Sequence, residues 1–240
     1  MNIDFVELDY RETPIGAVSI RRRSEVRLGG VTVYEIKLND EFLMSSLFTA
    51  SEEALARLGL APFEHGELDV IVGGLGLGYT AATVLENPAV RSLHVVEWLE
   101  PVIEWHQTGV CPLGPTLAAD ARCRFEHGDF FRRAASEGGF LAAEPGRRFD
   151  AILLDIDHTP QHVLNDSHAS FYSTEGLRAM LRHLKPGGVF ALWSDDPPHA
   201  GFEALLSEVF ESVASHVVPF PNPYTGGESA CTVYVAQHPR

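Results

Sequence analysis

The run Asp69-Val70-Ile71-Val72-Gly73-Gly74-Leu75-Gly76-Leu77-Gly78-Tyr79 constrains this chain more than any other, because a β-branched apolar segment stops abruptly in glycines. Such a run fits a strand covered on both faces. The small, apolar Thr80-Ala81-Ala82-Thr83-Val84-Leu85 that follows fits a helix packed on it. A Cβ in the turn would keep a ligand off the backbone and forbid positive φ. The helix start then offers free N–H groups to a polar or anionic ligand. The spacing Gly74-x-Gly76-x-Gly78 lacks the final glycine of the pattern G-x-G-x-x-G, since Tyr79 stands there. That disfavours NAD or FAD and leaves open another nucleoside ligand of a doubly wound sheet.

At 240 residues the chain buries a full core, and one domain with a small appendage is expected. Its longest apolar runs are of strand length, so no membrane span is expected, and the polar start Met1-Asn2-Ile3-Asp4 is not that of a signal peptide. A cytoplasmic protein follows from this reading. Cys111, Cys123 and Cys231 stand far apart, which points to free buried thiols rather than a disulfide framework or metal-ligand pair. A net charge of −15 opposes a phosphate backbone, and Arg21-Arg22-Arg23 is too short a basic cluster to reverse it. Nucleic acid is therefore not an expected partner; a small-molecule substrate is.

Ala17-Val18-Ser19-Ile20, the Gly29-Gly30 turn and the alternating Val31 to Leu38 read as a hairpin. Asn39-Asp40 makes a second turn before Phe42-Leu43-Met44. This N-terminal β-hairpin region, residues 1–48, would cover a site or meet a second subunit, and a homodimer is expected. Thr49-Ala50-Ser51-Glu52 has the form of a capping box opening a helix.

Past the glycine turn, strand and helix alternate, which predicts a parallel sheet with helices on both faces over residues 49–240. Leu93 to Val96 is the second strand, closed by Glu97, and Pro101 suits the first turn of the next helix. Cys123 to Glu126 is a third strand ending in His127-Gly128-Asp129, and Asp150 to Leu154 a fourth ending in Asp155-Ile156-Asp157-His158. Leu177, Met180, Leu181 and Leu184 mark a helix terminated by Lys185-Pro186-Gly187-Gly188, before a fifth strand, Val189 to Trp193. Phe202, Leu205, Leu206, Val209 and Phe210 mark another helix. Ser215 to Val218 and Cys231 to Val235 then form an antiparallel hairpin around a Pro/Gly-rich loop, Pro219 to Gly227.

Ligands of open α/β sheets bind beyond the carboxyl ends of the strands, where Gly73 to Gly78, Glu97, Asp129 and Asp155 converge. A carboxylate roughly 20 residues past the glycines can accept the two hydroxyl hydrogens of a ribose, a role for Glu97. Gly128-Asp129 brings a backbone N–H and an acceptor to an adenine edge, Trp98 or Phe130 offers a stacking ring, and Asp155 faces whatever reacts at the 5′ end.

On these residues the chain resembles the class I S-adenosylmethionine-dependent transferases, and within them the spermidine-synthase-like group. The resemblance spans about residues 38–236. It is carried by Gly73-Gly74-Leu75-Gly76, Val95-Val96-Glu97, His127-Gly128-Asp129, Phe149 to Asp155, Leu184-Lys185-Pro186-Gly187-Gly188 and the terminal hairpin Pro221 to Tyr234. It implies a Rossmann-like class I methyltransferase fold, α/β, with a mostly parallel seven-stranded sheet and a C-terminal antiparallel hairpin. It also implies S-adenosylmethionine or decarboxylated S-adenosylmethionine in the pocket, and cofactor contacts from Gly73, Gly74, Gly76, Gly78, Glu97, Trp98, Gly128 and Asp129, with Asp155 and Asp157 as catalytic carboxylates. Three departures stand out. Spermidine synthases carry Gly-Gly-Asp-Gly-Gly at the turn, and here the aspartate is Leu75. Their Asp-Glu-x-x-Tyr-His-Glu segment corresponds roughly to Thr49 to Ala54, and their Asp-Ser-Ser-Asp-Pro has become Asp155-Ile156-Asp157-His158-Thr159-Pro160.

These departures rank methyl transfer from S-adenosylmethionine first, aminopropyl transfer second and a non-catalytic nucleoside-binding or dimer scaffold third. No metal is expected, and two metal sites are the alternatives: the His158, His162, Asp166 and His168 segment, and a Mg²⁺ site of Asp155, Asp195 and Asp196.

Overall fold

In the computed structural model, which describes residues 5–39 and 41–240, the N-terminal hairpin and the strand after its second turn belong to a small antiparallel sheet, which a further strand extends to four. Its strands are β1 (Phe5–Thr13), β2 (Gly16–Glu25), β3 (Val31–Leu38) and β4 (Glu41–Ser45), paired in that order. Strand β1 was not foreseen, because its charged, mostly exposed residues show no apolar face. The polar start Met1–Asp4 and Asp40 of the second turn lie outside the described residues. Helix α1 (Ala50–Leu60) starts where expected, but the capping box does not form: the Thr49 hydroxyl instead donates to Glu53 Oε1 at 3.0 Å.

The second sheet is built from β5 (Leu68–Gly73), α2 (Tyr79–Glu86), β6 (Val90–Glu97), α3 (Glu100–Thr108), α4 (Gly114–Ala119), β7 (Cys123–His127), α5 (Phe130–Ala135) and β8 (Phe149–Leu154). It continues through α6 (Thr174–Leu181), β9 (Leu184–Ser194), α7 (Ala200–Val209), β10 (Phe210–Asn222) and β11 (Gly227–Pro239). Its seven strands lie in the order β10-β11-β9-β8-β5-β6-β7, with β11 antiparallel to both neighbours and the rest parallel.

Two boundaries differ from the sequence reading. Leu184 pairs with Phe149 as the first residue of β9, not the last of a helix, and a register shift follows before Val189 pairs with Ala151. The reason is Lys185, whose Nζ donates to Asp69 Oδ2 at 2.8 Å and Asp150 Oδ2 at 2.7 Å, so this segment pins the amino ends of β5 and β8. The terminal hairpin is also longer than expected, pairing continuously from Phe210 with Pro239 to Asn222 with Gly227.

Strand alternation sorts the core into two layers. Val70, Val72, Leu153 and Ala191 face Leu55 of α1, Val84 of α2 and Val18, Ile20 and Ile36 of the small sheet. Ile71, Ile152 and Phe190 face Phe130 and Phe131 of α5, Met180 of α6 and Leu206 of α7. Each fully buried Val, Leu, Ile, Phe or Met side chain among them contributes about 1.5–3 kcal/mol. The small sheet is thus held by the same core as the large one, over the carboxyl ends of its strands. Among the described residues no helix is long and apolar enough to cross a membrane.

Candidate nucleoside site

A pocket of about 360 Å³ opens where β5, β6, β7 and β8 end, with the small sheet as its roof. Pro14 and Ile15 of the β1–β2 turn, Ile36 and Leu38 of β3, and Leu43 and Met44 of β4 form that roof. Contacts at both sides fasten it: Trp105 Nε1 of α3 donates to Asp9 Oδ2 at 2.8 Å, and the Tyr224 hydroxyl from the β10–β11 turn donates to Glu25 Oε2 at 2.7 Å.

The glycine turn contributes unevenly. Gly74 and Gly76 line the pocket, while Gly73 and Gly78 do not. At Gly74 φ is +93°, and a Cβ would run into the backbone carbonyl of Asp155, so only glycine lets the ends of β5 and β8 touch. Gly78, also at +93°, precedes α2, and a Cβ there would meet Leu117 and His106. Its role is packing between helices. Gly76 is braced from behind by His106 Nε2, which donates to its carbonyl oxygen at 2.9 Å.

Glu97 lies in the pocket wall and accepts the Leu75 N–H at 2.9 Å and the Leu99 N–H at 2.7 Å, one on each carboxylate oxygen. Burial raises its pKa above the ordinary carboxylate value, and these backbone donors pull the other way. Asp129 caps α5 by accepting the Arg132 N–H at 3.0 Å and still lines the pocket beside Gly128, so capping and site coincide. Trp98 lines the pocket at its rim, 44% exposed with its ring tilted toward His127, and Phe130 lines it from the core layer in which it is buried.

Asp155 takes a hydrogen bond from Thr80 Oγ1 at 2.6 Å and is pushed up to about 6 by burial. Asp157 turns away: it is 2% exposed, does not line the pocket, and is held by Leu164, His168 and Tyr172. A carboxylate that the sequence assigned to capping arrives instead. Glu52 of α1 lines the pocket and is pushed up to about 7 by burial and by the charge of Asp155. Trp193 of β9 lines the same pocket with its indole N–H buried and unpaired.

Asp195 and Asp196 are exposed at the end of β9 and line no part of the pocket, and of the His/Asp-rich segment His158 and His168 do while His162 and Asp166 do not. Among the described residues no cluster of three or more His, Cys, Asp or Glu side chains is arranged for a metal ion. The three cysteines are buried thiols, pushed up to about 12 by burial.

No protein-family model matches the chain. Over 135 residues it is 31% identical to polyamine aminopropyltransferase 2 of Streptomyces coelicolor, a match that covers 55% of this chain and 21% of that protein. This chain therefore accounts for only about a fifth of that relative's length. The spermidine synthase of Thermotoga maritima superposes with a TM-score of 0.70 at 18% identity, covering 96% of this chain and 72% of that one. A spermidine synthase in complex with the transition-state analogue AdoDATO superposes with a TM-score of 0.73 at 19% identity, covering 99% and 75%. The fold is that of the spermidine synthases.

Within this spermidine-synthase-like fold, sequence reasoning missed Glu52, Tyr79, Trp193 and His168 as pocket walls, and it expected the roof as a β region over a site without naming its residues. For Glu52 the misleading signal was local, since Thr-x-x-Glu before an apolar run reads as a cap. Leu75, the departure at the turn, is 4% exposed and contributes to both the pocket and the core.

Proposed function

We propose that this chain is a spermidine-synthase-like aminopropyltransferase, which binds decarboxylated S-adenosylmethionine and transfers its aminopropyl group to a small amine. The observation that carries this reading is the pair Glu52 and Asp155, two half-buried carboxylates in the wall of one pocket, where the charge of Asp155 helps to raise Glu52. Such a pair is costly alone and is relieved by a cation, and the ammonium groups of both substrates are cations. Glu52 thus supplies a second carboxylate where the loss of an aspartate at Leu75 had argued for methyl transfer. The names of the relatives support the same order, an aminopropyltransferase in one case and spermidine synthases in the other.

In this reading Glu97 accepts the ribose hydroxyls, Gly74 and Gly76 admit the nucleoside to the backbone, and Asp129 meets the adenine edge. The sulfonium supplies the leaving group. The chain's own work is to align the amine nitrogen, the reacting carbon and sulfur, which is worth several kcal/mol. Asp155 or Glu52, poised near neutrality, takes the proton that the amine loses. The amine lone pair forms the new C–N bond as the C–S bond breaks, and 5′-methylthioadenosine departs with the sulfur electron pair.

The test is product analysis with decarboxylated S-adenosylmethionine and a panel of short diamines. Formation of 5′-methylthioadenosine with an aminopropylated amine is expected, and Asp155→Asn should still bind the nucleoside while losing most turnover. One observation, the apolar Leu75 at the turn, favours methyl transfer. S-adenosylhomocysteine formed from S-adenosylmethionine, with no 5′-methylthioadenosine from the decarboxylated donor, would establish that reading and remove ours.

A further inference from the structure

Asp157 sits two residues beyond Asp155, yet its carboxylate is committed to the loop that follows β8. Oδ1 accepts the Leu164 N–H at 2.8 Å and lies 2.8 Å from His168 Nδ1, and Oδ2 accepts the Tyr172 hydroxyl at 2.7 Å. A carboxylate oxygen accepts here from Nδ1–H of His168, the tautomer of the neutral imidazole in which Nε2 is the acceptor. The imidazole lies flat on Phe131, with ring centroids 3.9 Å apart and planes 24° from parallel. Two edges of the ring are thereby fixed. The Nε2 edge makes no hydrogen bond among the described residues, and it is not among their buried unpaired atoms. His168 and Phe131 both line the pocket, together with Gly128 and Asp129.

We propose that His168 reads the nucleobase: Nε2 accepts a hydrogen bond from an exocyclic amine such as the 6-amino group of adenine, with Asp157 and Phe131 as positioning residues. The proposal rests on the nucleoside reading of the pocket and deepens it by naming the group that selects the base. Leu164 and Tyr172 suffice to anchor the loop through Asp157, so the third contact, to an imidazole in the pocket wall, is the one that sets a tautomer. A fixed acceptor distinguishes a 6-amino from a 6-oxo base, because the latter brings its own lone pairs to the same place. Sites built to accept a hydrogen bond discriminate strongly against partners that lack the donor.

The experiment is calorimetric binding of 5′-methylthioadenosine and its 6-oxo counterpart, 5′-methylthioinosine, to the full chain and two variants. His168→Phe keeps a ring for Phe131 and removes the acceptor, and His168→Gln keeps an acceptor. The native chain should favour the adenine nucleoside by about tenfold or more. His168→Phe should still bind both, with a selectivity at least threefold below that of the native chain and the remainder owed to Asp129, and His168→Gln should retain a clear preference for adenine. Unchanged selectivity in His168→Phe overturns the proposal, as does loss of both nucleosides in both variants, which would mark His168 as a structural support. If the native chain binds both equally, only the base-reading role fails. If it binds neither, the nucleoside reading of the pocket fails with it.

Discussion

Thr80 Oγ1, in the first turn of α2, donates a 2.6 Å hydrogen bond to Asp155 Oδ2 at the end of β8. The helix that begins at the glycine turn therefore orients the carboxylate that the turn exposes. The bond also stabilises the charged form of Asp155 against the burial that raises its pKa to about 6.

Thr80→Val should remove that stabilisation and push the Asp155 pKa further up. A hydrogen bond to a charged group is worth about 1.5–3 kcal/mol, or about one to two pKa units, so turnover at neutral pH should fall by roughly two- to fifteenfold. The acidic limb of the pH–rate profile should move to higher pH, with partial recovery in alkaline buffer. A profile that falls uniformly without moving would locate the loss elsewhere.

Glu52→Gln tests the carboxylate pair through stability. Glu52 at about 7 and Asp155 at about 6 lie above ordinary carboxylate values, so the folded state binds more protons than the unfolded chain between roughly pH 4 and 7. Stability of the unliganded protein should therefore fall as pH rises through that window. In Glu52→Gln the fall should be shallower, with a melting temperature at pH 7.5 about 2–4 °C higher for each kcal/mol recovered. The same variant should bind diamines less well and 5′-methylthioadenosine nearly as well. A lower melting temperature at pH 7.5 would contradict a strained acidic pair.

Glu97→Ala should weaken nucleoside binding by roughly 2–3 kcal/mol, since a hydrogen-bonded carboxylate is lost from the wall. It also strips the Leu75 and Leu99 N–H groups of their acceptor, so thermal stability should fall in the same protein. Calorimetry and a melting curve separate the two effects. Unchanged affinity would remove Glu97 from the ribose position.

Leu75→Asp restores a carboxylate at the turn that spermidine synthases fill with aspartate. Paired dissociation constants should shift toward decarboxylated S-adenosylmethionine relative to S-adenosylmethionine, by several-fold. A cost in stability is expected too, because Leu75 is 4% exposed and belongs to the core. A shift in the opposite direction would mean that residue 75 does not approach the amine end of the donor.

The central sheet was legible because β5 and β8 are buried on both faces and so read as continuous apolar runs ending in glycine or aspartate. Strand β1 was not, since its mostly exposed residues have no core to pattern them. The prolines at 219 and 221 suggested a loop, yet β10 is an edge strand, where a missing N–H is tolerated. In the site, the strand-end carboxylates Glu97, Asp129 and Asp155 could be read from position alone. Asp157 could not: residues two apart share a face only while the strand continues, and the chain leaves strand geometry after Leu154. Glu52 was hidden because the first turn of any helix favours acidic residues.

The roof over the pocket behaves as a beam resting on two supports, Asp9 against Trp105 at one side and Glu25 against Tyr224 at the other. Those supports come from opposite ends of the chain, the first strand and the last hairpin. Neither touches the pocket, and between them the sulfur of Met44 in the roof accepts the Leu77 N–H of the glycine turn at 3.2 Å. Damage at either end should therefore loosen donor and acceptor together, raising both Michaelis constants in parallel, whereas a change in the pocket wall would single out one.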